Sequence, residues 1–165
     1  MKAATGRRPT SRWWDDPRVV AAAQRYVRRG VRSAHEVVAY LRDHGLAAAA
    51  AARLVATFRQ QGWVNDRACA RLWADHWARQ GYAWAAIRAR LQTKGLDEPV
   101  IGQADAALGL SAGDGVRARQ VAAGHRTRRV PASRVARRLA ARGFDSELIE
   151  RILTTSLAGN DSDAE

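Results

Sequence analysis

The chain has 165 residues, of which 47% are hydrophobic, with 28 basic and 16 acidic side chains and a formal net charge of +12. This composition predicts a folded protein of one domain or a short array of small units, and its charge favours an anionic partner. The single cysteine, Cys69, excludes an internal disulfide and any zinc site built from several cysteines, and no apolar run could span a membrane.

The two ends of the chain lack the apolar periodicity of a helix. Residues 1–16 are predicted to be a flexible basic arm, which contains Trp13 and Trp14, and residues 158–165 are predicted to be an acidic tail. Asp15 and Asp16 precede Pro17, so we expect them to cap the first helix. Because no apolar signal segment follows the N-terminus, we expect a soluble cytoplasmic protein.

Between the ends, one ten-residue motif, which we call the repeated phrase, occurs three times, as "VVAYLRDHGL", "IRARLQTKGL" and "VARRLAARGF". Its leucines are Leu41, Leu91 and Leu139, 50 and 48 residues apart. Apolar residues recur at spacings of three and four, which predicts a helix, and each phrase ends in a glycine, the usual residue after a helix C-terminus. The phrases therefore indicate an internal repeat.

A longer helix is predicted before each phrase, at about 17–29, 66–80 and 114–126, and a shorter one after it. Asp97 and Asp145 stand where they can cap two of the shorter helices, and Pro99 lies in a first turn. The sequence thus predicts an all-α protein of three tandem three-helix repeats forming an elongated, curved array. The predicted repeats are 17–61, 62–110 and 111–157.

The tryptophans of the middle repeat have an explanation in packing. Trp73 and Trp77 lie four residues apart on the helix face that also carries Cys69, and Trp84 begins the next apolar stripe. We expect these three indoles to fill the centre of the middle repeat. The alternative is base stacking, which requires exposed aromatic rings beside a basic groove. Trp63, at the link between two repeats, fits either interpretation.

The sequence contains no recognisable catalytic constellation. The four histidines are scattered, and none pairs with another at metal-ligand spacing. Cys69 falls on an apolar helix face, where a thiol acts as a small hydrophobe. The "GDG" at 113–115 is too short to bind a nucleotide and is interpreted as a linker. We therefore expect no enzymatic activity, no metal and no cofactor.

The positive charge is concentrated in the outer repeats, where few acidic residues accompany the arginines. Of the 28 basic residues 26 are arginine, a bias that is also typical of a GC-rich genome. Because a solvated helix face usually mixes both signs of charge, the runs of arginine favour a binding surface. The candidate binding residues are Arg25, Arg28, Arg29, Arg32, Arg88, Lys94, Arg126, Arg128, Arg129, Arg134, Arg138 and Arg142.

The middle segment, "GWVNDRACARLWADHWARQGYAWAAIRARLQTKGLD", resembles the signature of the RecX family of bacterial recombinase regulators. The matching positions are Gly62, Asp66, Ala70, Gly81, Tyr82, Ile87, Leu91, Lys94 and Gly95. The outer phrases "RSAHEVVAYLRDHGL" and "RRLAARGFDSELIERIL" resemble that family's flanking repeats, so the resemblance covers residues 17–155.

The resemblance implies a crescent of three-helix repeats that lies in the groove of the RecA filament and modulates its ATPase, strand-exchange and DNA-repair activity. We expect a monomer with a protein partner and no membrane, and direct binding of single- or double-stranded DNA stays open. The alternative is a helix-turn-helix DNA-binding protein, with "ASRVARRLAARG" as the recognition helix.

Overall fold

The computed structural model describes residues 17–126 and 130–158, and within these ranges the chain forms α-helices and no strand. The predicted arm, most of the predicted tail, Arg128 and Arg129 lie outside the described residues, as do the side chains of residues 125, 126 and 156–158. The helices are α1 Pro17–Arg28, α2 Ala34–Asp43, α3 Ala48–Gln60, α4 Asp66–Arg79, α5 Trp84–Thr93, α6 Glu98–Leu108, α7 Asp114–Arg126, α8 Ala132–Ala141 and α9 Ser146–Ala158.

The helices fall into two compact units, of which the first ends at Asn65 and the second begins at Asp66. In the first unit α2 packs against α1 and α3. In the second, α4, α5 and α6 pack together, and α7, α8 and α9 form another group of three. The predicted all-α helical repeat fold is confirmed, whereas the bounds of the three repeats stay predictions.

The three repeated phrases end their helices in the same way. Gly45, Gly95 and Gly143 have φ values of 89°, 71° and 84°, in the left-handed region that favours glycine. In each case the next amide donates back to the phrase's leucine carbonyl; the Leu46 N to Leu41 O distance is 3.0 Å. This pattern is the Schellman motif, which explains why a glycine and then an apolar residue follow each helix.

Capping residues begin several helices, as their chemistry requires. Ser33 and Glu36 form a reciprocal capping box at the start of α2. Asp97 accepts from the Val100 amide at 3.2 Å, and Asp145 accepts from the Leu148 amide at 3.0 Å, so both predicted aspartate caps are confirmed. The prediction that Asp15 and Asp16 cap α1 lies outside the described residues.

The centre of the middle group of helices is filled by small and aliphatic side chains rather than by tryptophan. Its buried cluster contains Ala70, Ala74, Ile87, Leu91, Leu96, Ile101, Ala104 and Leu110. Trp73, Trp77 and Trp84 are only partly buried and pack against the margin of this cluster. The prediction that they fill the centre is wrong, because the buried α4 positions of this cluster are Ala70 and Ala74, while all three tryptophans keep part of their surface exposed. Cys69 is fully buried, as predicted.

The contacts of Ala83, Trp84 and Ala86 with residues of α7 and of the turn after α8 connect α4, α5 and α6 to the last three helices, and we call these contacts the joint. The segment between α4 and α5 places Ala83 in the hydrophobic cluster of α7, α8 and α9, where its amide donates to the Arg142 carbonyl at 2.9 Å. The backbone at Gly143 lies close to α5, since a Cβ built on Gly143 would lie 2.7 Å from the Cβ of Ala86.

Asp114 is the central polar residue of this joint. Its Oδ1 accepts from the amide of Trp84, the first residue of α5, at 2.9 Å. The same oxygen forms an ion pair with Arg117, which also donates to the carbonyls of Tyr82 and Leu110. The interpretation of "GDG" as a linker is therefore wrong, because its aspartate begins α7 and caps a helix 30 residues earlier in the chain.

Candidate binding surface

Six half-buried side chains in the second unit form a continuous series of stacked cations and aromatic rings. Lys94 Nζ lies 4.3 Å from the Trp73 ring centroid, and the Trp73 and Trp77 centroids are 5.4 Å apart. The Arg90 Cζ lies 5.8 Å from the Trp77 centroid and 3.8 Å from that of Tyr82. The Arg142 Cζ lies 5.6 Å from the Tyr82 centroid. We call the set Lys94, Trp73, Trp77, Arg90, Tyr82 and Arg142 the cation–aromatic ladder.

Regular helix spacing places most of the ladder. Trp73 and Trp77 lie four residues apart on α4 and so share a face. Arg90 lies in the last turn of α5, and Lys94 is the C-cap of that helix. Tyr82 follows the glycine that ends α4, and its amide donates to the Trp77 carbonyl at 3.1 Å. The last member comes from the C-cap of α8, which the joint brings to the end of the series.

Some guanidinium nitrogens of the ladder are hydrogen-bond donors without an acceptor among the described residues. Nη1 of Arg90, and Nε and Nη1 of Arg142, are shielded from solvent, and each lacks a hydrogen-bond partner among the described residues. Stacking on an aromatic face contributes about 0.5–2 kcal/mol per cation, but a buried donor without an acceptor costs about 1–3 kcal/mol. The arrangement therefore holds guanidinium groups in place without neutralising them.

Arg142, a predicted binding residue, differs from Arg134 and Arg138 in its exposure to solvent. It is the C-cap of α8, beyond the last helical residue, and its side chain lies against Tyr82 and is half-buried. Arg134 and Arg138 are exposed, as is Arg137 on the same helix. We call Arg134, Arg137 and Arg138 the α8 arginines; none has a carboxylate partner within the described part of the chain.

The first unit has a smaller cluster of the same kind. Arg28 Cζ lies 5.5 Å from the centroid of Trp63, and Arg32 Cζ lies 4.9 Å from that of Tyr26. The Tyr26 ring stacks on that of Tyr40 with their centroids 4.0 Å apart. Trp63 is 37% exposed, so part of this indole is accessible to solvent. The predicted residue Arg25 is exposed on α1, and Arg29 is exposed just after the end of this helix.

Arg88, another predicted binding residue, is already paired. It forms an exposed ion pair with Glu98 at 3.0 Å, and Gln92 donates to the same carboxylate. The hydrogen bond from Gln92, followed by that from Arg88, lowers the pKa of Glu98. Of the other predicted residues, Lys94 belongs to the ladder, and the Arg126 side chain lies outside the described residues.

The prediction from sequence missed Arg90 and Tyr82 as part of a surface. In the sequence, Tyr82 stands out only as a position of the RecX signature, and Arg90 lies inside a repeated phrase whose shared residues are a leucine and a glycine. Their spacing to the tryptophans of α4 could have indicated contact, but the closing of the ladder by Arg142 depends on the joint.

No group of three or more metal-ligating side chains occurs in residues 17–126 and 130–158. Each helix in these two ranges is too short or too polar to span a lipid bilayer.

The fold and this surface define an all-α helical repeat protein whose second unit carries a cationic, aromatic surface. Residues 65–104 match the family model of the second three-helix domain of RecX. No curated protein matches the chain by sequence. The predicted resemblance to the RecX family is confirmed by this domain match.

Two solved structures share the fold. A crystal structure of a regulatory protein RecX is 21% identical, with a TM-score of 0.66, and the match covers 82% of this chain and 70% of that one. The crystal structure of RecX from Lactobacillus salivarius is 18% identical, with a TM-score of 0.65, and the match covers 84% of this chain and 94% of that one.

Proposed function

We propose that this protein is a non-enzymatic regulator that binds the RecA filament as a cytoplasmic monomer and lowers its ATPase, strand-exchange and DNA-repair activity. The observation that carries the proposal is the match of residues 65–104 to the second three-helix domain of RecX. That stretch contains five of the six ladder residues, so the region matching the family also carries the candidate binding surface.

The charges agree with such a partner. A filament of recombinase on DNA offers acidic side chains and phosphates, and arginine binds both through its planar fork of donors. The α8 arginines are exposed and unpaired within the described residues, which suits an electrostatic contact. A net charge of +12 would also raise the rate of encounter with a polyanion.

A helix-turn-helix DNA-binding protein is the second candidate, and the α8 arginines favour it. Such a protein reads base edges with polar side chains of a recognition helix. The buried residues of α8, Val135 and Leu139, belong to the phrase that recurs in α2 and α5. This recurrence favours an architectural role for the helix and gives the filament proposal more weight.

The test is a titration of RecA's ATP hydrolysis on single-stranded DNA. We expect the wild type to lower the rate at substoichiometric amounts, and the double variant Arg134→Glu/Arg138→Glu to be less effective. Arg67→Glu/Arg71→Glu is the matched control, because those arginines are also exposed and four residues apart, on α4. An unchanged rate, together with sequence-selective binding to duplex DNA, would support the second candidate instead.

A further inference from the structure

We propose that the cation–aromatic ladder is the protein-binding hot spot of this molecule and that Arg90 and Arg142 receive a carboxylate of the partner. This inference rests on the proposed function, and it assigns the ladder to the protein subunits of the filament rather than to its DNA.

The residue types favour a protein partner. Tryptophan, tyrosine and arginine are the residues most enriched in protein–protein hot spots, and they make up five of the six ladder positions. All six side chains are half-buried, so they offer rigid area that a partner can cover at little cost in side-chain entropy.

The stacking geometry argues against nucleic-acid bases as the ligand. Proteins that bind single strands offer aromatic faces on which bases stack. Here Arg90 and Arg142 both lie over Tyr82, and Lys94 and Trp77 both pack on Trp73. Because the rings already contact cations or each other, the ladder is better suited to binding through its guanidinium groups.

The guanidinium groups lack an acceptor. Neither Arg90 nor Arg142 has a carboxylate partner within the described part of the chain, and three of their nitrogens are shielded and unbonded. Tyr82 holds both groups in place, so little further ordering is needed to bind an anion. A carboxylate matches the planar fork of arginine, and it would bind the guanidinium nitrogens of Arg90 and Arg142 that are not among the three shielded ones.

The experiment measures affinity for RecA filaments on single-stranded DNA and, separately, for the same DNA without RecA. The variants are Arg90→Gln, Arg142→Gln and Arg90→Lys, and the last keeps the charge but loses the fork. Arg79→Gln is the matched control, because Arg79 is exposed on α4 and already paired with Asp75. Thermal unfolding checks that each variant is folded. If Arg142→Gln does not fold, the two Arg90 variants alone test the inference.

We expect both glutamine variants to lose at least about 10-fold in filament affinity, Arg90→Lys to show most of that loss, and affinity for bare DNA to stay within about 2-fold. If the glutamine variants bound the filament as well as Arg79→Gln does, the inference would be overturned. Equal losses of affinity for the filament and for bare DNA would also overturn it, because they would indicate a phosphate site. A wild type that binds no filament would refute the proposed function itself, and the inference would fall with it.

Discussion

Replacing Asp114 with alanine should destabilise the second unit more than the loss of an ordinary helix cap. The substitution removes the acceptor of the Trp84 amide and the carboxylate partner of Arg117. Since Trp84 is the first residue of α5 and Arg117 belongs to α7, the change acts on the joint between two groups of helices.

The magnitude follows from the two contacts that are lost. Removing a helix cap costs about 0.5–2 kcal/mol. The Arg117 side chain is only 12% exposed, so leaving it without a carboxylate is costly, although its bonds to two backbone carbonyls remain. Removing one partner of a buried ion pair costs about 3–5 kcal/mol, and the 27% exposure of Asp114 reduces this figure. We expect a total of about 2–4 kcal/mol.

Urea unfolding, followed by tryptophan fluorescence, measures this loss, and Asp97→Ala is the control. Asp97 caps its own helix, so its removal should cost only about 1 kcal/mol. Hydrogen exchange provides a local readout, because the Trp84 amide should exchange faster in Asp114→Ala and not in Asp97→Ala. Equal losses in the two variants, with Trp84 still protected, would refute this account of the joint.

Two further predictions concern the close packing at the joint and the pKa of Glu98. Gly143→Ala should cost about 1–3 kcal/mol more in urea unfolding than Gly45→Ala, because both glycines have positive φ but only the first has a neighbour within 4 Å of an added Cβ; equal costs would contradict this. The Glu98 pKa, measured by NMR, should lie below that of an ordinary glutamate and rise in Gln92→Ala. The stabilisation tied to this shift is present above the unfolded-state pKa and is lost as the pH falls through the lowered folded-state value; no change in Gln92→Ala would contradict the assignment.

The helices could be predicted because their signals are local. Spacings of three and four identify the apolar faces, and the glycines at 45, 95 and 143 identify three C-termini. The predicted first helices of the repeats, at 17–29, 66–80 and 114–126, agree closely with Pro17–Arg28, Asp66–Arg79 and Asp114–Arg126.

The joint and the ladder could not be predicted because they depend on contacts between distant residues. Asp114 caps a helix 30 positions away, which no local pattern indicates. Helix spacing alone would place Arg142 on one stripe with Arg134 and Arg138, but α8 ends at Ala141, and the Arg142 side chain lies against Tyr82. The tryptophans were assigned to the core by periodicity, which gives the direction of a side chain but not the space available to it.

The most direct test of the central claim is co-sedimentation of the wild-type protein with RecA filaments, compared with the same single-stranded DNA lacking RecA, at one salt concentration. The account predicts that the protein sediments with filaments at concentrations where it leaves bare DNA free. Equal binding to both, or binding only to the DNA, would contradict it.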